Sequence, residues 1–168
     1  MKKNSFIELV VGFILVLFTI SGCSHDDLNT WQLHEKESIN EYVKSLGDTA
    51  YVLTANGLYY IELTAGTGAM PVAGDTVTFR YKGSFLDGVV FDSNTGTGKV
   101  PFKMIIGSGE IIDGLDEGIR LMKKGGKGKF LTPSSLAYGH GGIPNIIPGY
   151  TPLLFEITLL TVSPGPGK

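Results

Sequence analysis

Apolar and polar residues alternate along most of the chain after Tyr51. The alternating runs are short, and turn residues separate them: TAYVLT, GLYYIELT, DTVTFRYKGSF, VPFKMIIG, KGKFLTPS and PLLFEITLLTV. In DTVTFRYKG, Val77, Phe79 and Tyr81 alternate with threonine, arginine and lysine. A strand with one face in the core and the other in water has this pattern. The pattern therefore predicts a series of short β-strands.

Two segments have the spacing of a helix instead. The first carries four apolar residues at i, i+3, i+4 and i+7, namely Ile39, Tyr42, Val43 and Leu46. This spacing places them on one helical face and predicts a short helix over 33–46. Gly47 follows as a plausible C-terminal stop.

The second helical segment lies between the predicted strands. Asp113 can cap its N-terminus, with Asp116 at the third helical position, and Gly125-Gly126 follows its end. The apolar face is supplied by Leu115, Ile119 and Leu121/Met122. Many strands with one central helix predict an α+β domain, an antiparallel sheet wrapped on that helix, with a short N-terminal helical extension.

The N-terminal segment resembles a bacterial lipoprotein signal. Lys2 and Lys3 precede a nearly continuous apolar stretch at Leu9–Ile20, and the chain's one cysteine, Cys23, follows Ser21-Gly22. The stretch is short for a membrane-spanning helix, which needs about 20 residues. We predict a signal peptide at 1–22 and lipidation of Cys23; an uncleaved anchor or an incidental thiol are the alternatives. The predicted parts that follow are a tether at 23–32, a helical extension at 33–56, the main domain at 57–163 and a tail at 164–168.

Composition argues against several functional classes. The formal net charge is −2, and the nearest basic segment, KKGGKGK at 123–129, has the composition of a solvated turn and strand edge, so we expect no nucleic-acid partner. The histidines, His25, His34 and His140, lack metal-ligand spacing. GTGK at 96–99 lacks the first glycine of a phosphate loop, and GSGEII at 107–112 lacks the third glycine of a dinucleotide loop. The sequence therefore predicts no metal and no cofactor.

Acidic residues cluster around the start of the second helix. Glu110, Asp113, Asp116 and Glu117 could perform acid–base chemistry, but negative charge is also favourable at a helix N-terminus, and we favour that interpretation. Asp92 differs because it directly follows an aromatic strand end in GVVFDSN. On local grounds it could equally cap a turn.

Three separated segments together resemble the FKBP-type peptidyl-prolyl isomerases. They are GDTVTFRYKGSFLDGVVFDSN, PFKMIIGSGEIIDGLDEGIRLMKKGGKGKFLTPSSLAYG and GIPNIIPGYTPLLFEITLL, and the resemblance covers roughly residues 57–162. It implies a bent antiparallel sheet of five or six strands curled over one helix. It also implies an active pocket between the sheet and the helix.

The resemblance also implies the residues of that pocket. The expected catalytic set is Tyr81, Phe91, Asp92, Tyr138 and Phe155. The expected substrate-binding set is Phe102, Glu110, Ile111, Ile112, Leu115, Ile146 and Ile147. Tyr138 would donate a hydrogen bond through its hydroxyl, and Glu110 and the Ile112 N–H would act through the main chain. The isoleucine-rich loop AYGHGGIPNIIPG would form one wall of a proline-binding cavity.

The implied function is rotation about X–Pro bonds during folding of exported proteins, in the bacterial envelope, with a lipid anchor in the membrane. Proline-containing polypeptides would be the clients and macrolides the inhibitors. Leu115 stands where the best-known members carry a tryptophan, and Ile143 where many carry a histidine. These departures leave open an FKBP-like binding module without useful turnover. A purely structural envelope lipoprotein is a third, weaker hypothesis.

Overall fold

The computed structural model describes residues 26–166, so the predicted signal peptide and Cys23 lie outside the described residues. The described residues divide into two units, 26–33 and 34–166, and the sheet belongs to the second. In chain order the elements are α1 (Asp26–Ser45), β1 (Val52–Leu53), β2 (Tyr59–Thr64), β3 (Thr76–Ser84), β4 (Val90–Ser93), β5 (Phe102–Ile105), α2 (Asp113–Arg120), β6 (Lys127–Thr132), a 3₁₀ turn (Ser134–Leu136) and β7 (Leu153–Ser163).

The seven strands form one antiparallel sheet in the order β1-β2-β6-β7-β3-β4, and β5 pairs with β3 off this path. The predicted α+β architecture is confirmed, with more strands than the expected five or six. β3 is central because it pairs with β7 along its whole length, with β5 through its first half and with β4 through its last residues. Its register with β7 shifts between Thr78 and Phe79, and a shift of this kind bends a sheet.

The alternation in β3 separates the two faces of the sheet as predicted. Val77 and Phe79 are fully buried in the core cluster, whereas Thr78 and Arg80 are partly exposed. Phe130 of β6, Phe155 and Ile157 of β7 lie in the same cluster. The inner face of the sheet is therefore a continuous apolar surface.

The helix α2 covers part of this inner face. Leu115 and Ile119 are buried, and the glycines at 114 and 118 let the helix lie close to β6. A Cβ at Gly118 would lie 2.7 Å from the Phe130 ring, and one at Gly114 would overlap the Thr132 methyl group. The close approach therefore requires glycine at both positions.

The predicted capping of α2 was wrong. Ile112 is the N-cap and makes no side-chain cap bond, so Asp113 is the first helical residue. Asp116 instead accepts a hydrogen bond from the Gly107 N–H at 2.6 Å and pairs with Arg120. The helix also ends at Arg120, before the predicted Gly125-Gly126 stop. Asp113 therefore does not cap the helix, and the side chain of Asp116 makes tertiary contacts instead.

The outer face of the sheet is apolar at one end and charged at the other. The strand register places Ile61, Leu131 and Leu154 on this face, and all three are buried although they lie outside the main core cluster. Further along, Glu156 accepts ion pairs from Lys82 at 3.1 Å and Lys129 at 3.8 Å. The apolar end of the outer face is therefore covered by the chain, whereas the charged end meets water.

The half-buried residues of α1 form one stripe, Glu35, Ile39, Tyr42 and Val43, continued by Leu46 just beyond the helix. The predicted helix is confirmed, but it begins at Asp26, within the segment predicted as a tether. It ends before Gly47, which adopts φ +57° as expected of a glycine stop. The stripe lies near the end of β6 because Glu35 binds Ser134, two residues after that strand.

We expect Gly118→Ala to destabilise the domain by about 1–2 kcal/mol. Alanine normally stabilises a helix interior by about 1 kcal/mol relative to glycine, but overpacking a core costs about 1–3 kcal/mol. The new methyl would lie within 3 Å of the fully buried Phe130 ring, so the clash should win. Urea unfolding followed by circular dichroism measures the change.

Phe130→Leu provides the matched test of this cause. If the clash with the ring is responsible, Gly118→Ala should cost less in the Phe130→Leu background than in the wild type. Equal costs in both backgrounds would show that the ring is not the obstacle.

Candidate active site

A cavity of about 410 Å³ opens where α2 leaves the inner face of the sheet uncovered. Four strands, the N-terminal end of α2 and two loops contribute to its walls. The lining residues are Phe79, Tyr81, Phe91, Asp92, Phe102, Glu110, Ile111, Ile112, Leu115, Tyr138 and Phe155. The walls are mostly aromatic and aliphatic with few polar groups, as is usual of small-molecule sites.

Aromatic rings held edge to face form the wall on the β3–β4–β7 side. The Phe91 and Phe155 rings meet at 86° with their centroids 5.9 Å apart. Gly83 makes room for both, because a Cβ there would lie 2.7 Å from the Phe91 ring and 3.0 Å from the Phe155 ring. Phe79 packs on Phe102 with centroids 5.5 Å apart. The packed rings therefore form a rigid wall, and the absence of a side chain at Gly83 lets Phe91 and Phe155 pack over it.

The other side of the cavity comes from the segment that enters α2. Ile111 and Ile112 are half-buried, and Leu115 is buried at the bottom of the pocket wall. The Glu110 carboxylate accepts a hydrogen bond from the Ser108 hydroxyl at 2.8 Å. Within residues 26–166 the Ile112 N–H has no hydrogen-bond acceptor, which leaves this donor available at the cavity.

The polar groups of the cavity are two tyrosines and one aspartate. The Tyr81 hydroxyl donates a hydrogen bond to Asp92 Oδ2 at 2.7 Å. Burial, together with this bond and the Asp92 charge, raises the pKa of Tyr81 to about 12. Burial and the Asp92 charge also raise the pKa of Tyr138 above its usual value. Both phenols are therefore neutral hydrogen-bond donors at physiological pH.

Asp92 lies inside β4 rather than after it, so it does not cap a turn as one hypothesis from the sequence allowed. The backbone at Asp92 pairs with Gly83. Within the described part of the chain, the Tyr138 hydroxyl has no hydrogen-bond partner. Asp92 thus orients one phenol, while the second phenol is free to bind a ligand.

Two predicted pocket residues lie elsewhere. Ile146 and Ile147 line a separate open cleft of about 340 Å³ within their own loop. The loop folds on itself through paired backbone hydrogen bonds between Ile143 and Ile147. This fold turns Ile147 into the core, where it is 2% exposed, and leaves Ile146 54% exposed. The other predicted pocket residues all line the cavity together.

Phe79 lines the cavity although the sequence did not single it out as a site residue. It is only 1% exposed and alternates with polar residues like any core residue of β3. The one available signal was its position two residues before Tyr81 on the same face of the strand. That spacing identifies the face but cannot show that the face ends in a cavity.

Among residues 26–166, no group of three or more histidine, cysteine, aspartate or glutamate side chains is arranged to hold a metal ion. In the same part of the chain, no helix is long and apolar enough to cross a membrane. The Asp113–Glu117 acids lie at a second surface cleft beside Arg120, where Glu117 accepts a hydrogen bond from Asn56 at 2.9 Å. Of the four acids near the start of α2, only Glu110 lines the aromatic cavity.

Comparison with known proteins identifies the family. The profile of the FKBP-type peptidyl-prolyl cis-trans isomerases matches residues 68–160. The isomerase FkpA of Escherichia coli K12 is 41% identical over 113 residues, covering 67% of this chain and 40% of that protein. The chain thus spans about two fifths of the length of that relative. An FK506-binding protein of Neisseria meningitidis is 39% identical over 106 residues, covering 63% of this chain and 96% of that protein.

Solved structures are similar to the whole fold. The crystal structure of a peptidyl-prolyl cis-trans isomerase from Pseudomonas syringae has a TM-score of 0.69 and 30% identity, covering 85% of this chain and 98% of that one. Escherichia coli FkpA has a TM-score of 0.70 and 29% identity, covering 98% of this chain and 85% of that one. The family profile spans more than half of the sequence. The chain belongs to the FKBP-type peptidyl-prolyl cis-trans isomerase family.

Proposed function

We propose that this protein catalyses cis–trans rotation about X–Pro bonds in exported polypeptides. The observation that carries the proposal is the cavity itself, with its fixed aromatic walls and free hydrogen-bond donors. An X–Pro amide rotates over a barrier of roughly 18–20 kcal/mol because rotation breaks amide resonance. No bond is made or broken, so the reaction needs neither a nucleophile nor a metal.

An apolar cavity suits this reaction because of how the amide dipole changes. The planar amide has more charge separation than the twisted amide, so removal of water disfavours the planar ground state relative to the transition state. Binding that discriminates in this way lowers the barrier. The pyrrolidine ring of proline is apolar and compact, and it would pack against the Phe91 and Phe155 rings that line the cavity.

The polar groups of the cavity would orient the peptide. The Tyr138 hydroxyl and the Ile112 N–H have no hydrogen-bond partner among residues 26–166, and peptide carbonyls are the acceptors they would bind. Asp92 would hold the Tyr81 phenol and transfer no proton. The rate enhancement would therefore come from orientation of the peptide and removal of water from its amide.

Macrolide inhibitors are proposed to enter the same cavity. The names of several relatives describe them as FK506-binding proteins. At the cavity wall Leu115 offers less apolar surface than the tryptophan of the best-known members, so we expect weaker macrolide binding than theirs.

A binding module without useful turnover is the second candidate. Leu115 at the cavity and the partly buried Ile143, which packs against the core, favour this candidate because both depart from the best-known members. In that case the cavity would hold a proline-containing segment of an envelope protein. Catalysis on a short peptide separates the two candidates.

The first test is the cis–trans exchange rate of a Leu-Pro or Phe-Pro peptide with the full-length protein in mild detergent. We expect strong acceleration that is lost in the Tyr138→Phe, Phe91→Ala double variant, because it lacks a donor and an aromatic wall. Tyr150→Phe is the matched control, since Tyr150 lies in the same loop but not at the cavity. A folded wild-type protein that gives no acceleration would favour the binding module.

Asp92→Ala tests the orienting role of the carboxylate. A hydrogen bond to a charged group contributes about 1.5–3 kcal/mol, so kcat/KM should fall by about 10- to 150-fold when it is lost. The pKa of Tyr81 should fall from about 12 toward its ordinary value of 10.0, as measured by ultraviolet titration of the phenols.

The sign of the linked stability follows from the raised pKa of Tyr81. The contribution of the neutral Tyr81 phenol to the free energy of unfolding is fully present below pH 10 and is lost as the pH rises through about 12. Urea unfolding of the wild type should therefore show a steeper loss of stability between pH 10 and 12 than unfolding of Asp92→Ala. An unchanged Tyr81 titration in the variant would contradict the role proposed for Asp92.

We further propose that the mature protein is a lipoprotein of the bacterial envelope, anchored through Cys23. The support is the basic start, the short apolar stretch and the Ser21-Gly22-Cys23 sequence. Incorporation of labelled fatty acid in cells tests the anchor. We expect labelling of the wild type and none of Cys23→Ala, and an unlabelled wild type would contradict the proposal.

A further inference from the structure

A carboxylate of α1 reaches the loop that carries Tyr138. Glu35 Oε1 accepts a hydrogen bond from the Ser134 N–H, and Glu35 Oε2 accepts one from the Ser134 hydroxyl at 2.8 Å. The two residues are 99 positions apart in the chain. Both oxygens of one carboxylate therefore bind both donors of one serine.

Ser134 also holds the backbone on each side of Tyr138. Its carbonyl accepts hydrogen bonds from the Ala137 N–H at 2.9 Å and the Gly139 N–H at 2.8 Å. Ser134 is 4% exposed and begins the 3₁₀ turn that leads from β6 to Tyr138. A single serine thus connects the Glu35 carboxylate to the two amides that flank the cavity phenol.

Glu35 is the glutamate of α1 that lies on the half-buried stripe. Glu37 and Glu41 are exposed, and Glu37 approaches only His34 of its own helix, at 3.8 Å. A carboxylate that accepts two bonds from a nearly buried residue is held in one position, because charge-assisted hydrogen bonds are stronger than neutral ones. Glu35 therefore makes a specific tertiary contact, whereas Glu37 and Glu41 are exposed to solvent.

We propose that Glu35 is a positioning residue for the Tyr138 hydroxyl. By fixing Ser134 it fixes the backbone at residues 137 and 139, and so the direction in which the phenol enters the cavity. The proposal rests on the isomerase function proposed above. The contact would couple α1 to the active site, because a displacement of the helix would move Ser134 and with it the backbone around Tyr138.

The test compares Glu35→Ala with Glu37→Ala in the full-length protein, by the peptide exchange assay. A misplaced catalytic group can lower a rate by about 100-fold per ångström, so a smaller displacement should lower kcat of Glu35→Ala about tenfold. KM should change little, because the aromatic walls are untouched. Glu37→Ala should keep wild-type activity, and Glu35→Gln, which retains one acceptor, should recover part of the loss.

The Tyr138→Phe background separates positioning from general damage. Without the hydroxyl there is nothing left to position, so Glu35→Ala should cause no further loss there. An equal loss in both backgrounds would overturn the proposal, and so would full activity of Glu35→Ala. Near-ultraviolet circular dichroism checks that each variant is folded, and Glu35→Gln serves if Glu35→Ala does not fold.

Amide hydrogen exchange tests the same contact without any need for catalysis. Exchange at the Ala137 and Gly139 amides should be at least tenfold faster in Glu35→Ala than in Glu37→Ala, because their acceptor is no longer fixed. Unchanged exchange would overturn the positioning role. An inactive wild type with faster exchange in Glu35→Ala would instead reject the isomerase function and keep the contact.

Discussion

The short length of α2 is the constraint on which the rest of the structure depends. β7 has 11 residues and spans about 36 Å at roughly 3.3 Å per residue, whereas the eight residues of α2 span about 12 Å. One such helix cannot cover the inner face of the sheet. Gly114 and Gly118 allow the helix to pack closely on Thr132 and Phe130 of β6. The part of the inner face that the helix leaves uncovered therefore lies over β3 and β4. The cavity is the apolar surface that remains.

The uncovered surface keeps its shape because its rings support one another. Phe91 rests edge-on against Phe155, and Gly83 keeps side-chain atoms out of the space between them. A flexible apolar surface of this size would collapse or recruit water, but rings that are partly buried and mutually packed stay apart. Burial and the Asp92 charge raise the pKa of the Tyr81 and Tyr138 phenols above the ordinary value, so both keep their protons over a wider pH range.

Ser134 lies between the end of β6 and the loop that carries Tyr138. The inner face supplies the cavity, while the buried outer residues Leu131 and Leu154 lie at the end of the sheet to which Glu35 of α1 is bonded. Ser134 follows β6 and does not itself line the cavity, but it lies four residues before Tyr138, which does. The positioning role proposed for Glu35 would connect α1 to the cavity through this serine.

The sequence predicted the features that depend on periodicity. The alternation of Val77 and Phe79 with polar residues places the inner face of β3, and the spacing of Ile39 and Val43 places the buried stripe of α1. Both patterns indicate which side of the strand or helix faces water. Resemblance to the family then placed most of the cavity residues together.

Features that depend on tertiary contacts could not be predicted in this way. Asp113 has the sequence pattern of a helix cap, yet the N-cap is Ile112, whose backbone is extended. Asp116 accepts a hydrogen bond from the Gly107 N–H in the preceding loop, a contact that the local pattern does not indicate. Ile147 appeared to be a wall of the cavity, but the backbone pairing of its loop turns it into the core. The Glu35–Ser134 contact joins residues 99 positions apart, and no local pattern marks it.

The rotation proposed for the X–Pro bond takes place in the aromatic cavity. The most direct measurement follows a Leu-Pro peptide and the labelled protein in one nuclear magnetic resonance experiment. We expect faster cis–trans exchange of the peptide together with shift changes confined to residues at the cavity, including Tyr81, Phe91 and Tyr138. Faster exchange with no change at these residues would contradict it, as would binding at the cavity without faster exchange.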